Sequence, residues 1–271
     1  MTNARNCGLS LHDVIAKLDN FAPKSLAESW DNVGLLVEPV TKKNIKRILL
    51  TNDLTEDVVE EAVKVCADLI ISYHPPIFVP LKSVTGRTWK ERIVATCLEN
   101  RIAVYSPHTS FDAVSGGVND WLTSAFGMFG GHCTTVPPHG VGMGRLCCLK
   151  RPLELSAIAE LVKEHLNLQH IRVALARHKY MESRVSTVAI CAGSGSSVLK
   201  SVQADLYLTG EMQHHDILDA VHKGTHVILC DHSNTERGFL KVFAEKLATE
   251  LCGGGVEVML SETDRDPLQI I

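Results

Sequence analysis

Residues able to bind a metal or move a proton recur where apolar runs end. Asp53 closes "ILLTND", His74 closes "LIISYH", and "SPHTSFD" holds His108 with Asp112. Glu211 ends "LTGE", and "CDHSNTE" holds His232 with Glu236. Histidine with Asp or Glu, and no Cys, suits hard or borderline cations such as Zn, Mn, Fe or Mg. Such an ion acidifies a water and polarises a substrate oxygen or ring carbon. Pro75 and Pro76 stop the strand at His74 and fix its direction at little entropic cost.

Each residue also has an ordinary explanation. A lone strand-end imidazole more often just donates to a carbonyl. Asp112 could cap a helix starting near Gly116, and Ser233-x-x-Glu236 has the form of a capping box, which leaves His232 unexplained. Glu211 and His214 have the i, i+3 spacing of carboxylate-bridged metal bundles, though His214 and His215 also suit a helix surface. His222 and His226 form H-x-x-x-H in name only, because Gly224 should end the helix between them. "AGSGSS" is a small-residue turn whose amides could cradle an anion; it is not a dinucleotide fingerprint.

Positioning these residues requires strands that end together. Apolar runs alternate with helix-period segments almost throughout, which predicts an α/β fold with mainly parallel sheets covered on both faces. "TEDVVEEAVKVCA" reads as a helix capped by Thr55, with Glu56 and Asp57 suiting its positive end. In such sheets ligands occupy the crevice beyond the carboxyl ends of strands, where all the candidates fall. The stretch 127–144, with six glycines, two prolines and two histidines, breaks the rhythm. It predicts a connector between a first lobe, 1–126, and a second, 145–271.

The chain has 271 residues, 45% of them hydrophobic, and a net charge of −4. With no Lys/Arg-rich run, direct nucleic-acid binding is not expected. No apolar stretch has the length of a membrane span, and the opening residues lack the apolar core of a secretory signal, so a cytoplasmic protein is expected. The cysteines number nine, an odd count without C-x-x-C, and read as reduced, largely buried thiols.

Five motifs in order, "ESWDNVGLLV", "SYHPPIF", "SPHTSFDAVSGGVNDWL", "LTGEMQHHD" and "DHSNTERGF", resemble the Nif-three-like family. Its name means NGG-one-interacting factor three, and bacterial relatives are called GTP cyclohydrolase I type 2 homologues. "GSGSSVL" and "SETDRDPLQ" are similar to the animal branch. The resemblance implies two related α/β lobes around a dinuclear site, in a ring-like homo-oligomer, often a hexamer. It implies one or two divalent ions per chain on His74, Asp112, His232 and Glu236. Tyr73 stands where many relatives have a second histidine, and longer relatives carry an inserted domain near 127–144 that this chain lacks.

Two functions follow as expectations. The first is a metal-dependent hydrolase, cyclohydrolase-like by family label, acting on a nucleotide or similar small molecule, with His108 or His215 carrying protons. The second is an interaction protein of transcriptional regulation, cytoplasmic and also nuclear. Its partner would be a transcriptional adaptor or corepressor, and its metal site would be structural or vestigial.

Overall fold

Short apolar runs such as Leu69–Ser72 and Ala103–Ser106 form strands in which every residue is buried, as helix-covered parallel strands require. The structure is a computed structural model that describes residues 8–136 and 142–271. The chain divides into two compact units, Met1–Phe111 with Leu240–Ile271, and Asp112–Phe239.

In the first unit a five-stranded sheet has the order Glu257–Leu260, Arg47–Thr51, Leu69–Ser72, Ala103–Ser106, Gly34–Val37. The first four run parallel and the last is antiparallel to its neighbour. Helices Glu56–Lys64 and Trp89–Glu99 make the crossovers. Each starts at a threonine whose hydroxyl accepts an amide two residues into the helix: Thr55 from Val58 and Thr88 from Glu91, both at 3.3 Å. Their apolar faces, with Val58, Ala62, Ile93 and Cys97, pack on Leu49, Ile70 and Val104.

The second unit holds a six-stranded sheet in the order Cys133–Val136, Gly144–Glu154, Arg184–Ser194, Leu206–Glu211, His226–Leu229, Arg172–Ala174. Only the pairings among Arg184–Ser194, Leu206–Glu211 and His226–Leu229 are parallel. The rest are antiparallel, so this sheet is mixed rather than mainly parallel. The link 137–143 is too short for the crossover a parallel pair needs, and it forces Gly144–Glu154 to return antiparallel.

The two sheets share a plan. In each, a short edge strand precedes three neighbouring parallel strands in the chain and pairs antiparallel with the last of them. Both also begin their central pair in the same way. Asp68 Oδ2 accepts the amides of Lys46 and Arg47 at 2.7 and 3.0 Å, and Asp205 Oδ2 accepts those of Ser186 and Thr187 at 2.8 and 3.0 Å.

The cysteines depart from the expectation. Cys133 and Cys147 face each other across antiparallel strands, Cα atoms 4.1 Å apart, and form a disulfide. Strand register brings them together, which sequence spacing does not reveal. Cys97, Cys191, Cys230 and Cys252 are buried thiols, while Cys66 and Cys148 are exposed. Of the stretch 127–144, residues 137–141 lie outside the described residues, as do residues 1–7. Among the described residues no helix is long and apolar enough to cross a membrane.

Candidate functional site

In the first unit, pairing continues past the strand Leu69–Ser72: the Tyr73 and His74 amides donate to the Thr51 and Asn52 carbonyls at 2.9 Å. Pro75 then ends the ladder, since it has no amide to give. His74 Nδ1 lies 2.9 Å from Asp53 Oδ1, at the end of the neighbouring strand. A carboxylate only accepts, so Nδ1 is the donor and the lone pair falls on Nε2, the arrangement of a metal-binding imidazole.

The third strand leads to His108, whose φ of 33° is in the left-handed region. Its Nδ1 lies 2.7 Å from Asp31 Oδ1. The Asp31 side chain is 0% exposed, and its other oxygen accepts the Thr109 amide at 3.1 Å and hydroxyl at 2.5 Å. Burial pushes the Asp31 carboxyl up. The hydrogen bond and charge of His108, with the Thr109 donors, outweigh that and hold it below its ordinary value. The His74 and His108 rings sit 5.3 Å apart, with the buried Tyr73 edge-on to both.

In the second unit, Glu211 ends one strand and His232 follows the next by a turn through Asp231, at φ 64°. His232 Nδ1 lies 2.6 Å from Glu211 Oε1, and its Nε2 lies 3.3 Å from Glu236 Oε1. Glu236 is 3% exposed. If Nδ1 donates to Glu211, a neutral ring turns a lone pair toward Glu236, and two acceptors oppose each other. A proton or a cation between them relieves this. Gly193, at φ +63°, passes so close that a Cβ there would stand 2.5 Å from Glu236 Oε1 and 2.9 Å from His232 Nε2.

Asp112, 8% exposed, lies in the helix Thr109–Ala113. Its carbonyl accepts Asn119 Nδ2 at 3.1 Å, and Asn119 Oδ1 accepts the Ala192 amide at 2.8 Å, which ties it to the end of the strand Arg184–Ser194. The buried Arg145 donates to the carbonyls of Ala113 and Val114 at 3.3 and 3.2 Å and pairs with Asp120. Cys191 registers both acids. Burial pushes its thiol up, the charges of Asp112 and Glu236 push further, and Arg145 opposes them.

His74 in the first unit, and His232 and Glu236 in the second, each carry a side-chain atom of a kind that metals bind. Within the first unit His74 and His108 are brought together; within the second, His232 meets Glu236, and Asp112 shares the surroundings of Cys191. His215 is exposed in the first turn of the helix His214–His222, its ring 5.4 Å from that of His214. Glu211 turns to His232, across the strands.

Ser233–Thr235 is a short 3-10 turn, and the next α-helix starts only at Phe239, so the Ser233-x-x-Glu236 spacing does not open an α-helix. The helix Val118–Thr123 begins at Gly117 with no side-chain cap. His222 ends its helix, and His226 Nδ1 is taken by the Ala176 amide at 3.1 Å. In "AGSGSS" the Gly193 and Gly195 amides are spent on the Thr235 and Thr209 hydroxyls at 2.8 and 3.0 Å, which leaves no anion cradle from them. Asp31, Asn119, Arg145 and Gly193 contact or crowd the candidate residues and their neighbours, which their residue types alone did not announce. Asp31 and Asn119 do fall inside the motifs "ESWDNVGLLV" and "GGVNDWL".

The family DUF34/NIF3 (NGG1p interacting factor 3) matches residues 9–267. "NIF3-like protein 1" of Drosophila melanogaster is 51% identical over 264 residues, covering 96% of this chain and 89% of that protein. "NGG1-interacting factor 3" of Saccharomyces cerevisiae is 37% identical over 283 residues, covering 96% of each. Reduced HcgD from Methanocaldococcus jannaschii superposes with a TM-score of 0.79 at 28% identity, covering 94% of this chain and 98% of that one.

Proposed function

The chain belongs to the DUF34/NIF3 family, and from that premise we propose that it is a metal-binding protein that acts as a metal-dependent hydrolase on a nucleotide or similar small molecule. The observation that carries this reading is His232, held by Glu211 on one nitrogen and faced by the buried Glu236 on the other. Its donor set fits a divalent ion. An imidazole oriented by a carboxylate is the usual metal ligand, and the buried carboxylates of Glu236 and Asp112 offer the negative charge that a divalent ion requires. The ligands in this reading are His74, Asp112, His232 and Glu236, for one or two ions of Zn, Mn, Fe or Mg. Tyr73 supplies no imidazole, which favours one tightly held ion over two. When bound, the ion supplies an acidified water and polarises the substrate.

The chain's own residues do the rest. Asp53 and Glu211 hold their imidazoles in one tautomer. His108, with Asp31 on Nδ1, presents Nε2 as the proton carrier; His215, exposed and unclamped by a carboxylate in the described contacts, is the second candidate for that role. The test is metal analysis of protein purified without chelator, followed by a nucleotide hydrolysis panel with Mn or Zn. Stoichiometric metal and metal-dependent turnover are expected; protein that neither retains nor takes up metal contradicts the reading.

The name of the yeast relative favours a second reading, an interaction protein whose partner is a transcriptional adaptor and whose metal site is structural. On that reading metal binds without turnover, and the protein works in the cytoplasm and nucleus. In both readings it assembles as a ring-like homo-oligomer, which light scattering at micromolar concentration tests.

A further inference from the structure

Two aromatic side chains beside His108 are left in solvent: Trp30 is 58% exposed and Phe78 48%. Their ring centroids are 6.0 Å apart, and they lie 6.0 and 6.3 Å from the His108 ring. The planes meet at 64°, 75° and 83°, so the three rings form a corner.

The corner is held in place. Trp30 immediately precedes Asp31, which is locked by His108 and Thr109, and the Glu28 amide donates to Thr109 Oγ1 at 3.0 Å. Phe78 follows the rigid Pro75–Pro76 pair. Asn32 Nδ2 donates to the Ile77 carbonyl at 2.5 Å and so joins the two loops. Large apolar rings held in water forgo the burial that normally stabilises them. Their orientation suits one kind of guest. A flat ring laid on one wall meets the others edge-on, the geometry aromatic groups prefer, while its ring heteroatoms come within reach of an imidazole.

We propose that Trp30 and Phe78 form the docking corner for a flat heteroaromatic ring, so that the substrate is a nucleotide recognised by its base. This rests on the small-molecule reading above and names the class within it. Base stacking on such a ring is worth on the order of tenfold or more in affinity.

The test is calorimetric titration of the metal-free, full-length protein with AMP, GMP and ribose 5-phosphate, and separately with Mn. The parent should bind at least one of the two nucleotides at least about tenfold more tightly than ribose 5-phosphate. Trp30→Ala and Phe78→Ala should each weaken that binding by about tenfold, and Trp30→Phe should retain most of it. Mn affinity should stay at the parent value in all three. If ribose 5-phosphate binds as well as both nucleotides, or Trp30→Ala leaves nucleotide affinity unchanged, the corner is not a base site. A change in oligomeric state in Trp30→Ala with nucleotide affinity intact would make it a subunit contact instead and overturn the proposal. Nucleotide binding that depends on Trp30 in a parent that fails to bind Mn would uphold the corner and sink the metal reading alone.

Discussion

In the first unit Asp53 ends one strand and His74, twenty-one residues later, closes its parallel neighbour; in the second, Glu211 and His232 repeat the couple at the same separation. The sheets share the order of three parallel strands and an antiparallel edge strand, yet the couple sits one strand further along in the second. At the third parallel strand the units match again, with His108-x-x-x-Asp112 after one and His232-x-x-x-Glu236 after the other. What differs is the acid's place. Asp53 and Asp31 lie on Nδ1, where they orient a ring. Glu236 is buried and lies against Nε2, the nitrogen opposite the one that Glu211 holds. Strand ends provide equivalent positions, and the side chains decide which of them sets a buried carboxylate against Nε2.

The largest expected effect belongs to the second unit alone. Gly193→Ala puts a Cβ against both His232 and Glu236 at a left-handed φ, and the backbone and these two side chains cannot both stay in place. A loss of about 2 kcal/mol or more in urea unfolding is expected, together with loss of metal binding. Parent-like behaviour would mean the strand passes farther from the pair. Next come the orienting acids. Asp53→Asn and Glu211→Gln should each weaken metal binding by roughly 10- to 100-fold, because the imidazole loses its fixed tautomer. If only Glu211→Gln does so, the couple of the first unit is structural and the parallel between the units breaks.

The smallest effects fall at the opposite strand ends. Asp68→Asn and Asp205→Asn should each cost about 1 kcal/mol and leave metal affinity alone. Burial raises the Asp68 carboxyl, but Lys43 and the amides of Lys46 and Arg47 lower it more, and its value ends below the ordinary one. A depressed carboxyl stabilises the fold fully above its unfolded pKa, about 4, and loses that contribution as pH falls through the lower folded value. Urea midpoints of the parent and Asp68→Asn should therefore differ at pH 7 and converge in acid. A gap that widens in acid would contradict the sign.

Much of the fold was legible because it depends on local pattern. Buried strands are continuous apolar runs, and Thr55 caps the helix its position predicts. The strand-end histidines were legible for the same reason. What escaped depends on pairing across distance. Antiparallel register joins Cys133 to Cys147, and Asp31 reaches His108 from 77 residues away. Glu236 fits a capping box by spacing, yet the chain turns as a 3-10 helix there and buries the carboxylate. Gly193 read as part of an anion-binding turn, because one sequence does not encode how closely a glycine passes a carboxylate two strands away.

The central claim is that Glu236 supplies charge to a cation and does not merely fill space beside His232. Glu236→Gln keeps the shape and removes the charge. Calorimetric titration of Mn or Zn into metal-free parent and variant, with thermal melts of both metal-free proteins, tests this most directly. The account predicts metal binding at least about tenfold weaker in the variant, with a metal-free melting temperature at or above the parent's, since a buried charge has been removed. Equal affinity in the two proteins would contradict it.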